Sequence, residues 1–392
     1  MIVRVCGLCW LSLILTIASS GCGSSSTSAA KLAERLGQLR ADESRTNDGR
    51  LILGAPSLTS GIPGEGALKL DELTAWLADP EQHEPLRVAL PPHLAAAQRD
   101  VNIPADNPLT RAKIELGRQL YFDQRLSKIG SLACGECHHP KLSYTSFIKG
   151  NGLRDPLPTI NRILSKRQFW DGKAASLEEQ VKFPVTNERE QNLSPEELVA
   201  KLNSVSGYKL QFERIFGEVS FTAFSQAIAS FERALVTGPS AWDRSQSGEE
   251  NAMSPLAKQG EAIFFGAKAQ CDRCHRGPNF TDEEFHPVGT GIDERTPDLG
   301  RFSITGRETD RGAFKTPTLR NVAVTHPYLH DARFDSLAEV VAWFNAGGHL
   351  PPGPGAELVP LGLSPGEQQA LVEFLKSLTS ALPPVETRRL PE

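Results

Sequence analysis

Two pentapeptides decide the reading of this chain: Cys134-Gly135-Glu136-Cys137-His138 and Cys271-Asp272-Arg273-Cys274-His275. C-x-x-C-H is the attachment signal for c-type haem. On a helical turn residues three apart share a face, so both sulfurs can form thioethers to one porphyrin. The histidine that follows can then reach the iron as its axial ligand. A single C-x-x-C also serves as a redox dithiol or as half a zinc site. Two copies that both end in His favour two covalent haems.

The segments ahead of the motifs repeat as well. Ile114-Glu115-Leu116-Gly117-Arg118-Gln119-Leu120-Tyr121-Phe122 precedes the first and Gln259-Gly260-Glu261-Ala262-Ile263-Phe264-Phe265 the second. In both, a glycine followed four residues later by an aromatic marks a helix that packs closely on another. Ser254-Pro255 offers an N-cap and an N1 proline, and Ser194-Pro195-Glu196-Glu197 caps another helix. Ser364-Pro365-Gly366-Glu367 opens a last one with a capping-box Glu, and Leu371, Phe374, Leu375 and Leu378 share one of its faces. Residues 222–236 read as an amphipathic helix and 68–77 as a short one. Alternating strand runs are few. The expected fold class is all-α, with two cytochrome-c-like haem domains in tandem at 107–246 and 247–382 and a tail at 383–392.

The chain has 392 residues, enough for two or three cores, and a net charge of -5 that gives no argument for nucleic acid. At the N-terminus Arg4 heads an apolar run from Leu8 to Ala18, too short to span a bilayer, which reads as a signal sequence. Ser19-Ser20-Gly21-Cys22 is similar to a bacterial lipobox, in which Cys22 is lipidated, with an ordinary signal-peptidase cut as the alternative. Both export the chain to the periplasm, and only the lipid would touch a membrane. The seven cysteines are then assigned: four to haem, Cys6 and Cys9 to the signal run, Cys22 to the anchor. Residues 23–66, Ser-rich at first and then Gly/Pro-rich, read as a flexible tether or linker, and 67–106 as an N-terminal extension.

From about Arg111 to Leu378 the chain resembles the bacterial di-haem cytochrome c peroxidases, including the MauG-like protein-oxidising enzymes. The resemblance is carried by Phe169-Trp170-Asp171-Gly172-Lys173-Ala174, by Cys271 to Asp282, by Phe314-Lys315-Thr316-Pro317-Thr318-Leu319-Arg320-Asn321 and by Pro327-Tyr328-Leu329-His330-Asp331. It implies that His138 and His275 are the proximal ligands, that the N-terminal haem reacts with hydrogen peroxide, and that the C-terminal haem handles electrons. Trp170 matches the Trp between the haems. Gln180, Pro184 and Glu190 match the lining of the peroxide pocket, where one carboxyl can take the proximal peroxide proton and deliver it to the leaving oxygen. Against this stands the charged run Glu188-Arg189-Glu190, which also reads as a solvated loop. Residues 140–155 hold no His, so an open N-terminal iron is expected, with Lys141 or Lys149 the alternative caps. His139 reads as a bystander.

The family places a Met or Tyr as sixth ligand of the second haem at an offset that here lands on Phe344, which cannot coordinate iron. An open site, an off-register ligand such as His349, or His330 moving in remain. The resemblance further implies a calcium ion held by Asp155 and the carbonyls of Thr325 and Pro327. It implies a small cytochrome c or cupredoxin as electron donor, or a protein substrate in the MauG-like reading, and a homodimer as the assembly. A non-catalytic di-haem electron carrier is the reading from another class.

Overall fold

The computed structural model describes residues 32, 34–146, 154–290, 297–348 and 358–392. Cys6, Cys9, Cys22, Lys149 and His349 lie outside them, and so do the signal-sequence and lipid-anchor readings. Helices dominate. Among the described residues the sheets are two-stranded: Leu51–Ile52 runs parallel to Val88–Ala89, and Phe285–Pro287 antiparallel to Ala313–Lys315.

Each half is built on one close helix crossing. In the N-terminal half Arg111–Phe122 crosses Phe221–Ala234, and a Cβ on Gly117 would stand 1.9 Å from the Ala227 carbonyl oxygen. In the C-terminal half Pro255–Phe264 crosses Pro365–Ser377, and a Cβ on Gly260 would stand 1.9 Å from the Ala370 carbonyl oxygen. Only a residue without a Cβ lets two backbones come this near. Tyr121 and Phe264, one turn after the two glycines, are buried in separate apolar cores. The caps fall where the sequence puts them: Ser194, Ser254 and Ser364 accept bonds from the backbone N–H of Glu197, Ala257 and Glu367. Leu371, Phe374, Leu375 and Leu378 are all buried. The short helix expected at 68–77 spans Leu70–Leu77.

One expectation is corrected. The described part of 23–66 is not a linker: Leu51, Leu53, Leu58 and Ile62 are all at most 4 % exposed. The first three join the core of the N-terminal half, and Ile62 packs with Leu68, Leu73, Trp76 and Leu77. The glycines and prolines there make turns between buried apolar residues. The tail is equally engaged. Leu68 N–H donates to Leu390 O at 2.8 Å, Arg389 pairs with Glu72 at 2.6 Å, and the fully buried Arg118 donates to Arg389 O at 3.0 Å and to Glu386 O.

A second repeat, offset by 160 residues, joins the halves. Asn161 and Asn321 both sit in the left-handed region and open single 3-10 turns, Arg162–Leu164 and Val322–Val324. Gln168 bridges Ala174 and Tyr328 bridges Phe334, closing two small hairpins in which Phe169 and Leu329 both have φ of +68°. Ser176 and Ser336 then cap the helices Leu177–Gln180 and Leu337–Asn345. In this register Trp170 corresponds to His330, and Pro184 to Phe344.

Candidate haem centres and the residues between them

The first motif forms the helical turn Cys134–Cys137 and the second the 3-10 turn Cys271–Arg273. All four cysteines are free of disulfides. Burial pushes the Cys134 thiol well up and that of Cys271 to about 12. A redox dithiol needs the opposite shift, so that reading loses its support.

The histidines are set as iron ligands. His138 Nδ1 lies 2.9 Å from Tyr144 O, and His275 Nδ1 lies 3.0 Å from Phe280 O. A carbonyl can only accept, so in both rings Nδ1 carries the proton and Nε2 keeps the lone pair that iron needs. Burial lowers the pKa of both, which keeps them neutral. Tyr144 and Phe280, which supply the carbonyls, are both held at positive φ, +60° and +50°. Non-glycine residues keep such conformations where the surroundings impose them. His139, by contrast, is exposed and its Nδ1 accepts from Lys141 N–H; Lys141 is exposed too.

A cavity of about 360 Å³ opens beside Cys271, Cys274 and His275. Phe344 stands in its wall, as do Trp170, His286 and His330. The apolar lining, the paired cysteines and the neutral imidazole suit a haem. His330 is 2 % exposed, its ring stacks on Phe314 at 3.6 Å between centroids, and burial drives its pKa down to about 4. Its Nδ1 meets Thr290 Oγ1 at 3.3 Å, and its Nε2 has no hydrogen-bond partner. His286 escaped the sequence reading. It pairs with Asp282 at 2.9 Å, close to the Cys274 sulfur, and these contacts raise its pKa to about 10. Cys274, Asp282 and His286 could gather a metal ion, but a thioether at Cys274 removes the thiolate from that set.

Trp170 lies between the halves and is 8 % exposed. Its indole N–H donates to Asp155 O at 2.7 Å, and its ring meets His330 edge-on at 6.3 Å. Arg154 bridges Asp171 and Asp298, at 2.6 and 2.8 Å, and lies over the Phe314 ring.

Glu190 is half-buried while its neighbours Glu188 and Arg189 are exposed. Burial raises its pKa, opposed by a 2.6 Å bond from Asn187 and by Lys173. Its charge adds to the burial that holds the Cys137 and Cys134 thiols up. Pro184 and the end of the Glu190 loop are joined by a bond from Gln191 N–H to Pro184 O at 3.1 Å. Gln180 closes the preceding helix, half-buried. Glu188 and Arg189 are exposed as in a solvated loop, and Glu190 is half-buried between them and Gln191.

Asp155, Thr325 and Pro327 line the same cavity. The Asp155 carboxyl is buried, its Oδ1 has no partner, and burial raises its pKa to about 8. An orphaned buried carboxyl suits a hard cation, so Asp155 fits a calcium ligand.

A family model for the di-haem cytochrome c peroxidases matches residues 111–251. The chain is 37 % identical over 300 residues to the methylamine utilization protein MauG of Methylorubrum extorquens, covering 74 % of this chain and 84 % of that one. It is 32 % identical over 309 residues to the cytochrome c551 peroxidase of Nitrosomonas europaea, covering 76 % and 89 %. Among solved structures, a MauG-like protein associated with microbial copper homeostasis aligns with a TM-score of 0.65 at 29 % identity, over 71 % of this chain and 92 % of that one. These findings define a di-haem peroxidase-type oxidoreductase. The chain belongs to the di-haem cytochrome c peroxidase family.

Proposed function

We propose that this chain reduces hydrogen peroxide in the periplasm with electrons from a small cytochrome c or cupredoxin, through two cytochrome-c-like haem domains in tandem, 107–246 and 247–382. Cys134, Cys137 and His138 would hold one c-type haem and Cys271, Cys274 and His275 the other. When bound, the first would supply an iron for peroxide and the second a way in for the donor's electrons. The chain's own groups do the rest. The Glu190 carboxylate takes the proton from the oxygen nearer the iron and returns it to the leaving oxygen, with Gln180 and Pro184 walling the pocket. Trp170 carries electrons between the halves, its N–H held on Asp155 O so that the indole plane is fixed. Asp155, with the carbonyls of Thr325 and Pro327, holds calcium beside that contact. Export by the N-terminal signal with lipidation at Cys22, and a homodimer, complete the reading.

The observation that carries it is Glu190: a half-buried carboxyl with raised pKa, fixed by Asn187 and within electrostatic reach of Cys137. Stopped-flow mixing of diferric protein with peroxide tests it. Glu190→Gln should slow the reaction by about 10²- to 10⁴-fold, and an unchanged rate removes the assignment.

A MauG-like reading, in which a protein partner is oxidised, is favoured by the 37 % identity to MauG. Phe344 in the cavity wall weighs against it, since the resemblance calls for a Tyr ligand there. A modified Trp or Tyr in a co-purifying protein would decide for it. The electron-carrier reading predicts no reaction with peroxide at all, and a reaction seen in the same stopped-flow experiment would exclude it.

A further inference from the structure

We propose that Lys315 and Glu283 are positioning residues that lock the Trp170 turn onto the C-terminal half, so that the indole keeps one place beside the His275 cavity. The proposal rests on the reading of Trp170 as an electron relay.

Trp170 belongs by sequence to the N-terminal half, yet much of what grips its turn comes from the other. Lys315 ends the strand Ala313–Lys315, and its backbone N–H donates to Trp170 O at 2.8 Å. Its ammonium donates to Arg167 O at 2.6 Å and pairs with Glu283 at 2.6 Å. Glu283 in turn accepts from Ser165 Oγ at 3.1 Å and from Lys166 N–H at 3.0 Å. One ion pair thus holds three consecutive residues, 165–167, and the same Lys holds Trp170 itself. Arg301 adds a bond to Asp171 O at 3.0 Å.

The pair is deeply buried, with side chains 1 % and 11 % exposed. Burying two charges is a poor way to gain stability, because desolvation offsets the attraction. Its effect here is geometric: removing either partner leaves the other's buried polar atoms short of a bond. The clamped turn is also strained, with Phe169 at φ +68°, and such strain persists only where contacts over-determine it.

The 160-residue repeat gives an independent argument. Asp155 corresponds to Lys315 and His330 to Trp170, and Asp155 N–H donates to His330 O at 2.8 Å. Each half therefore grips the other's hairpin through the same backbone bond. Among the described residues, the buried ion pair that reinforces this bond and reaches back along the gripped loop stands on the Trp170 side.

The test uses the mature di-haem protein with Lys315→Met, Glu283→Gln and Trp170→Phe. Two readouts apply: hydrogen exchange of the peptide spanning 165–172, and the spectroscopic rate at which a reduced C-terminal haem passes its electron to the N-terminal one after peroxide is added. Exchange should rise in Lys315→Met and Glu283→Gln. Transfer should slow by roughly 10- to 100-fold, as for a misplaced reacting group, while the second-order reaction with peroxide stays unchanged. In a Trp170→Phe background Lys315→Met should add nothing, because it acts through the indole. Equal slowing with and without Trp170, or unchanged exchange, overturns the proposal. Trp170→Phe that leaves transfer intact sinks the relay reading instead, and exchange then decides the clamp alone. Should Lys315→Met fail to load two haems, Glu283→Gln, which keeps side-chain size, carries the same comparison.

Discussion

Gly260→Ala tests the packing that shapes the second haem cavity. The added Cβ would stand 1.9 Å from Ala370 O and 2.8 Å from Phe374 Cβ, where ordinary contact begins near 3.4 Å. The helices Pro255–Phe264 and Pro365–Ser377 must therefore part by about 1.5 Å. Overpacking of this kind costs about 1–3 kcal/mol. The gain in helix propensity of Ala over Gly returns about 1 kcal/mol at most. The net expectation is a loss of about 2 kcal/mol at the upper end of that range. Phe264, Leu371 and Leu375, carried by these two helices, line the cavity over His275, so the change should also reach the C-terminal haem. The control lies in the same pair of helices. A Cβ on Gly366 meets nothing within 4 Å, so Gly366→Ala should be neutral or slightly stabilising. The assay is guanidinium unfolding of holoprotein followed in the Soret band, with the C-terminal haem read separately by redox titration. Gly260→Ala as stable as wild type, or less harmful than Gly366→Ala, would refute the crossing as the source of the glycine requirement.

In wild type the reaction with peroxide should slow as pH falls through the raised pKa of Glu190, because the carboxylate is the base; in Glu190→Gln that limb should vanish from the pH–rate profile. Phe344→Met places a thioether in the cavity wall beside His275 and should convert the C-terminal haem to a low-spin EPR signal with a higher potential; an unchanged spectrum would show that the side chain does not face the iron. Without a cation, Asp155 with its pKa near 8 carries a proton at neutral pH. Its folded pKa lies above the unfolded value, so its ionisation destabilises the fold increasingly as pH rises toward 8. Calcium titrated into chelator-treated protein should release about one proton per ion at pH 7 and almost none above about pH 9, read by calorimetry in buffers of different ionisation heat. Asp155→Asn should abolish the release.

The features legible in the sequence were those with local rules. The Cys and His spacing, the Ser-Pro caps and the paired glycines each follow from what a few consecutive residues can do. The residues that escaped notice depend on chain segments far apart. Nothing near Lys315 in sequence announces Glu283 as its partner or the Arg167 carbonyl as its acceptor. His286 looks like any loop histidine until Asp282 and Cys274 close around it. A signal for some of this was present: Phe169-Trp170-Asp171 and Leu329-His330-Asp331, with Ser176-Leu177 and Ser336-Leu337 behind them, align at a constant offset of 160. That alignment would have paired Trp170 with His330 and Asp155 with Lys315 before any coordinates. The described part of 23–66 departs from the linker reading because Leu51, Leu53, Leu58 and Ile62 are buried against segments distant in sequence, which Gly and Pro content does not reveal.

The last residues of the chain close over Leu68 and Arg118. Arg118, with no exposed side-chain surface, finds acceptors in the Glu386 and Arg389 carbonyls, and Leu390 gives its carbonyl to Leu68. The half that carries His138 is thus completed by residues 386–390, from the far end of the sequence. Cutting the chain before Glu386 would therefore strip the buried Arg118 guanidinium of two backbone acceptors and leave it to Glu115.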